Sequence, residues 1–146
     1  MRRAPLRRCW LDERGISGAL DMTLAVGLIM LPVVMLVASL PAWVETRSMA
    51  ELAAQEAART VVLADDQAGG ETAGTAAARL IATNHGIDGS SLTISYTGVL
   101  DWGQEITATV RVPMPVLSIP LIGTFTVGDF TAQHTERVDD YRSFVP

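Results

Sequence analysis

The feature that most constrains this chain is a run of 23 uncharged and largely apolar residues, 22–44, between Asp21 and Glu45. As a helix with a rise of about 1.5 Å per residue, the run is about 34 Å long, which is enough to cross a hydrocarbon core of about 30 Å. Helices in soluble cores rarely stay apolar on every face over this length. Trp43, near the end of the run, suits a membrane interface. The sequence therefore predicts one transmembrane helix over residues 22–44.

The arginines on either side of this run predict its orientation. Five arginines precede it, whereas only Arg47 and Arg59 follow within about 15 residues. Because positively charged segments stay on the cytoplasmic side, we expect residues 1–21 to form a cytoplasmic basic leader. Residues 45–146 then form an extracytoplasmic domain of a single-pass protein of the cytoplasmic membrane.

A removable secretory signal is the competing interpretation of the same run. Ala38 and Ser39 are small enough for signal peptidase, and a cut there would give a mature start near Leu40. The run is longer than the usual apolar core of a signal peptide, however, and no clean A-x-A site follows it. These features favour an anchor.

Helical periodicity continues beyond the apolar run, over residues 45–64. Asp65–Gly70 is expected to end this helix, because glycine accepts the left-handed cap conformation. A second helix is predicted over residues 72–84, closed by Asn84–Gly86. The apolar face of the first helix is expected to comprise Met49, Leu52, Ala53, Ala57, Thr60 and Ala64.

After Gly89 the apolar residues alternate with polar ones, which is typical of strands. Strands are predicted over residues 92–97, 106–112 and 124–135, with a bulge or turn at Gly128-Asp129. Pro113 and Pro115 end the second strand because proline cannot donate a ladder hydrogen bond. Residues 116–123 are expected to loop over the sheet edge. The whole pattern predicts an α+β fold: a long N-terminal transmembrane helix that continues into an exported helix, then a second helix and a small antiparallel sheet of about three strands.

The composition excludes several classes of function. The chain has a net charge of −5, and from Glu45 onward 13 carboxylates face 6 arginines, which argues against nucleic-acid binding. His85 and His134 have no partner at metal-ligand spacing, and Cys9 is the single cysteine. No nucleophile elbow, zincin, phosphate-loop or EF-hand pattern occurs. We therefore expect no enzyme, no catalytic, cofactor-binding or metal-binding residues, and no cofactor.

The boundary of the apolar run carries a more specific signal. Asp21 directly precedes the run and lies six residues after Arg14-Gly15. A carboxylate at the start of a membrane helix is costly unless it stays among the headgroups or meets a cation. Asp21 is therefore either a subunit-contact acid or an interfacial residue favoured by the helix macrodipole.

These residues carry a resemblance to a known family. Asp12-Glu13-Arg14-Gly15, followed by small residues, an acid and an apolar run with Leu31-Pro32, resembles the TadE-like minor pilins of tight-adherence (Flp-type) pili. The segment 131–143 is similar to the end of actinobacterial members. The resemblance implies cleavage by a prepilin peptidase between Gly15 and Ile16, and a small α+β domain outside the membrane. It also implies membrane lipid, other pilin-like subunits, a pilus assembly platform and the prepilin peptidase as partners.

The position of the acid departs from the family pattern. In the family the acid is a glutamate five residues into the mature chain, whereas cleavage after Gly15 makes Asp21 the sixth residue. One residue rotates a side chain by about 100° around a helix. Cleavage after Gly18 would place Asp21 third. An uncleaved, membrane-anchored assembly factor therefore stays open beside a processed subunit.

The sequence leaves three functions open. The first is a membrane-anchored minor pilin or pseudopilin-like component in assembly of a tight-adherence-type pilus or related secretion filament. The second is a signal-anchored extracytoplasmic binding module unrelated to pili. The third is a small secreted enzyme or inhibitor released by signal peptidase, and it alone predicts soluble protein in the medium.

Overall fold

The computed structural model describes residues 13–119, 123–126 and 128–141. The predictions for Cys9 and for most of the basic leader therefore lie outside the described residues. The elements are α1 Glu13–Leu63, α2 Gln67–Asn84, a short 3-10 helix Gly89–Ser91, β1 Thr93–Thr97, β2 Glu105–Pro113, β3 Leu117–Ile119, β4 Gly123–Phe125 and β5 Asp129–Arg137. Strands β1, β2 and β5 form an antiparallel sheet with β2 in the centre. The predicted α+β fold is confirmed.

The chain divides into two compact units, Met1–Ala38 and Ser39–Pro146. Within the second unit, α1 buries a stripe of positions that recur every three or four residues, as an amphipathic helix requires. The stripe differs from the predicted face at Leu52, which is 49% exposed. Its fully buried members are mainly alanines: Met49, Ala50, Ala53, Ala54, Ala57, Ala58 and Val61.

The turn between the helices is tighter than the sequence predicts. Helix α2 begins at Gln67 rather than at residue 72, because Asp66 caps it by accepting a hydrogen bond from the Gly69 N–H at 3.0 Å. Gly70 therefore lies inside α2. A Cβ at Gly70 would lie 2.7 Å from the Cβ of Ala64, so glycine provides space here rather than a helix end.

Helix α2 packs on α1 through small residues. Its buried positions are Gly70, Gly74, Ala78 and Ala82, one on each turn. A Cβ at Gly74 would lie 2.8 Å from the carbonyl oxygen of Ala57 and 2.8 Å from the Tyr96 hydroxyl. The two helix backbones are thus in direct contact at this point, which only glycine permits.

The end of α2 agrees with the predicted closure at Asn84–Gly86. His85 is the C-cap residue, and Gly86 adopts a positive φ of 73°. The Ile87 N–H then donates to the carbonyl oxygen of Ala82 at 2.9 Å, which satisfies one of the last helical carbonyls.

The sheet has one apolar and one polar face. Ile106, Ala108, Val110 and Val112 of β2 are buried beneath the helices. The opposite face carries hydroxyl side chains in register across the strands. The hydroxyl groups of Thr107 and Thr135, for example, are 2.7 Å apart. This alternation sets the register, since a shift by one residue would exchange the two faces.

The segment after β2 corrects two predictions. Residues 117–119 and 123–125 pair as an antiparallel hairpin, where the sequence predicts a loop over 116–123. The third strand of the main sheet consequently begins at Asp129 and runs to Arg137, instead of spanning 124–135. Gly128, with a φ of 94°, separates β4 from β5 at the predicted turn.

The contact at Gly74 generates a stability prediction. Gly74→Ala should lower the free energy of unfolding by about 1–3 kcal/mol, because the added methyl group has no space against Ala57. Helix propensity alone predicts the opposite, a gain of about 1 kcal/mol. The measurement is urea unfolding of the full chain in detergent micelles, followed by near-ultraviolet circular dichroism.

The matched control is Ala73→Gly, at the exposed residue that precedes Gly74. This change should cost about 1 kcal/mol through helix propensity alone. A Gly74→Ala protein more stable than the original would contradict the close contact between α1 and α2.

Candidate functional site

The apolar surface of α1 is the dominant feature of the described chain. Fifteen large apolar side chains between Leu20 and Val44 are 38–71% exposed. At roughly 1–2 kcal/mol for each, transfer of this surface from lipid to water costs about 15–30 kcal/mol. This cost exceeds the net stability of a typical domain, about 5–15 kcal/mol. The helix is long and apolar enough to cross a membrane, and such a surface is that of a membrane anchor or a signal sequence.

Asp21 lies on the surface of this segment and is exposed. Helix α1 begins at Glu13, so Asp21 is eight residues, more than two turns, inside the helix. The macrodipole acts on charges within the first turn. The position of Asp21 therefore weakens its interpretation as a helix-terminus residue. None of the four ion pairs formed by the described side chains includes it.

The candidate cleavage residues Gly15 and Ile16 lie in the first turn of α1. The first four N–H groups of a helix have no intrahelical acceptor, so this turn opens more readily than the helix interior. Gly15, Ile16 and Asp21 lie on one helical segment. Among the described residues, nothing beyond the neighbouring backbone of its own helix lies within 4 Å of the position that a Cβ would take at Gly18, between them.

The two histidines occupy separate places in the second unit. His85 Nδ1 is 3.7 Å from Glu45 Oε1, which links the end of α2 to α1. His134 is half-buried, with Nε2 3.1 Å from Glu136 Oε2. In the described ranges, no group of three or more His, Cys, Asp or Glu side chains is placed to hold a metal ion.

Two groups outside the apolar segment have shifted pKa values. Partial burial raises the pKa of Tyr96, whose hydroxyl lies 3.3 Å from the Thr75 hydroxyl. Hydrogen bonds from the Ser90 backbone N–H and hydroxyl lower the pKa of Asp88. Both shifts follow from structural contacts, since Tyr96 lies between α2 and the sheet and Asp88 caps the 3-10 helix.

Two surfaces of the domain are not predicted by the sequence analysis. The first is a groove between α1 and α2, where Leu52 and Leu80 are exposed. The second is the β3–β4 hairpin, whose base accepts a hydrogen bond from Trp43 Nε1 at the carbonyl oxygen of Pro115, 3.3 Å away. A sequence signal for the hairpin exists, because residues 112–128 carry no charge.

Comparisons of the chain with protein-family models, curated protein sequences and solved structures found no significant match.

The contacts of Tyr96 generate a pH prediction. A raised pKa means that the folded state favours the neutral phenol. The associated stability is complete below the unfolded pKa near 10 and is lost as the pH rises through the folded pKa. Tyr96→Phe should remove this loss, and should itself cost about 0.5–1.5 kcal/mol through the hydrogen bond to Thr75. Urea unfolding between pH 8 and about 11 measures both effects.

The chain contains no lysine, so no lysine side chain titrates in the alkaline range in which Tyr96 does. Tyr141, the other tyrosine, is 95% exposed, so Tyr141→Phe is the matched control. The control should keep the alkaline loss of stability. An identical pH dependence in Tyr96→Phe and in the original chain would contradict the assignment.

Proposed function

We propose that this chain is a membrane-anchored minor pilin or pseudopilin-like component in assembly of a tight-adherence-type pilus or related secretion filament. The N-terminus lies in the cytoplasm, residues 22–44 cross the cytoplasmic membrane once, and the α+β domain lies outside. Its partners are membrane lipid, other pilin-like subunits, the pilus assembly platform and a prepilin peptidase. It acts through binding rather than catalysis.

The observation that carries this proposal is that the two parts of α1 differ in what they contact. Residues 46–62 of the helix bury one stripe against the sheet of their own domain. From Leu20 to Leu40 the helix instead leaves its large apolar side chains exposed on all sides. A helix of this kind can exchange lipid for the apolar helices of neighbouring subunits, which is what a filament core requires.

Asp21 supplies a second, independent support. It is an exposed carboxylate at the beginning of the apolar surface, and no described ion pair includes it. A charge in such surroundings is retained when it meets a partner of opposite charge. A neighbouring subunit that has been cleaved at Gly15–Ile16 would present a free amino group on the same segment, although one residue out of the family register.

The groove between the two helices favours an alternative function. Leu52 and Leu80 are 49% and 61% exposed beside Ile81, which gives the domain an apolar surface away from the sheet. A signal-anchored extracytoplasmic binding module would use this groove and would need α1 only as an anchor. The two functions differ in whether substitutions on the anchor surface affect partner binding.

Asp21→Ala tests the proposed subunit contact. If the carboxylate meets a cation in a site with little water, its loss costs about 3–5 kcal/mol of subunit association. An exposed interfacial acid would contribute only about 0–1 kcal/mol. The expected result is normal membrane insertion with loss of crosslinking to pilus subunits. Asp21→Glu, which keeps the charge, should retain part of the crosslinking.

The matched control is Glu45→Ala, at the other boundary of the apolar run. Glu45 is exposed, and the residue it pairs with, His85 at 3.7 Å, belongs to its own domain. An exposed pair of this kind contributes little, so Glu45→Ala should leave crosslinking unchanged. Equal recovery of partners by Asp21→Ala and the original chain would argue for a simple anchor and thus for the binding-module alternative.

The intact mass of the membrane-extracted protein tests processing. Cleavage by a prepilin peptidase should remove residues 1–15 and leave Ile16 as the first residue. Gly15→Leu should block this loss, because the resemblance makes the glycine the residue after which the peptidase cuts. Gly18→Leu is the matched control and should still be processed. A mature start near Leu40 would show an ordinary secretory signal instead.

A further inference from the structure

The β3–β4 hairpin is an apolar protrusion that the proposed function does not use. It lies within residues 112–128, a stretch of 17 residues without a charged side chain. Val116 is 55% exposed and Phe125 is 47% exposed. Neither side chain joins the buried clusters beneath the sheet. The hairpin therefore presents apolar surface that its own domain does not cover.

The base of the hairpin contacts the end of the predicted membrane span. Trp43 Nε1 donates a hydrogen bond to the carbonyl oxygen of Pro115 at 3.3 Å. Trp43 is the second-last residue of the run 22–44, and its neighbours Leu40 and Val44 are 45% and 63% exposed. Pro115 thus lies at the same level as a tryptophan that suits the membrane interface.

The chain approaches this point by running along α1 toward the apolar run. At the far end of the domain, Ile106 of β2 packs with Val61 of α1. Near the other end, Val112 pairs with Phe130, whose ring lies 5.5 Å from the Arg47 guanidinium. Strand β2 therefore runs antiparallel to α1. After β2 ends near Arg47, the chain continues to Pro115, which contacts Trp43 one helical turn closer to the span.

We infer that the β3 and β4 strands around Val116 and Phe125 lie in the membrane interface and are a second lipid contact of the protein. This inference rests on the membrane anchor of the proposed function. A strand of three residues is about 7 Å long. Interfacial protein segments bury their apolar face about 5–10 Å into the boundary between headgroups and acyl chains. The hairpin has the size and composition for this depth.

The apolar surface that the hairpin continues favours lipid over a second copy of the chain. Charges of both signs lie behind the uncharged stretch, since Arg111 precedes it and Asp129, which pairs with Pro113, follows it. The uncharged stretch itself can therefore meet lipid while the charged residues stay among the headgroups or in water. The exposed side chains of Leu40 and Val44 continue the apolar surface into the span, where lipid is already required.

Depth measurements on single labelled cysteines test this inference. The full chain, with Cys9→Ser as background, is reconstituted into vesicles of phosphatidylcholine and phosphatidylglycerol. Variants Val116→Cys and Phe125→Cys carry an environment-sensitive fluorophore, which is quenched either by doxyl-labelled lipid or by iodide in the water. The matched control is Val99→Cys, since Val99 is also exposed, at 62%, but lies in the turn between β1 and β2, at the opposite end of β2. Val37→Cys reports the span itself.

The expected result is strong lipid quenching and weak iodide quenching at Val116 and Phe125, with the reverse at Val99. Lipid quenching at Val37 combined with aqueous behaviour at Val116 and Phe125 would overturn the inference and leave the anchor intact. Aqueous behaviour at Val37 would instead overturn the proposed anchor, and the inference with it. Protection of both hairpin positions from iodide without lipid quenching would mean that a second copy covers them, which also overturns the inference.

Discussion

The exposed apolar surface of α1 is the constraint on which the rest of the molecule depends. Its transfer from lipid into water costs more than a small domain can offset, so the segment requires lipid or other apolar helices. This requirement also determines what the second half of α1 can do. From Thr46 onward the helix buries a stripe beneath its own domain. One continuous helix therefore has an exposed apolar part and a part that packs on the domain.

The domain attached to this helix is built from small side chains held close together. Only 5% of the residues are aromatic, and the buried stripe of α1 consists mainly of alanine. Such a core gains its dispersion energy through short distances rather than large side chains. Gly70 and Gly74 make those distances possible, because each approaches α1 where no Cβ fits. The position of α2 consequently sets the space for Tyr96 and the sheet below it.

The surfaces with functional interest cluster around the apolar run. Asp21 precedes the run, whereas Trp43 and the β3–β4 hairpin meet at its other end. The proposed subunit contact and the inferred lipid contact are therefore compatible, since they use different ends of one segment. A pilin-like subunit that leaves the membrane would have to withdraw the hairpin from lipid, which links the two contacts energetically.

The sequence by itself determined the long apolar helix, the second helix and, apart from the bounds of the third, the three strands of the main sheet. These features follow from local periodicity and charge, which act over a few neighbouring residues. The candidate cleavage residues Gly15 and Ile16 come from a family resemblance instead, and the subunit contact of Asp21 stays a prediction. The tertiary structure decided the rest. Gly74 is required where α2 meets α1, because a Cβ there would lie 2.8 Å from the carbonyl oxygen of Ala57, which is far away in the chain. Residues 117–119 and 123–125 pair as a hairpin in the predicted loop, and Trp43, 72 residues from Pro115, contacts its base. Contacts between residues so distant in the chain leave no periodic pattern, so only the folded chain reveals them.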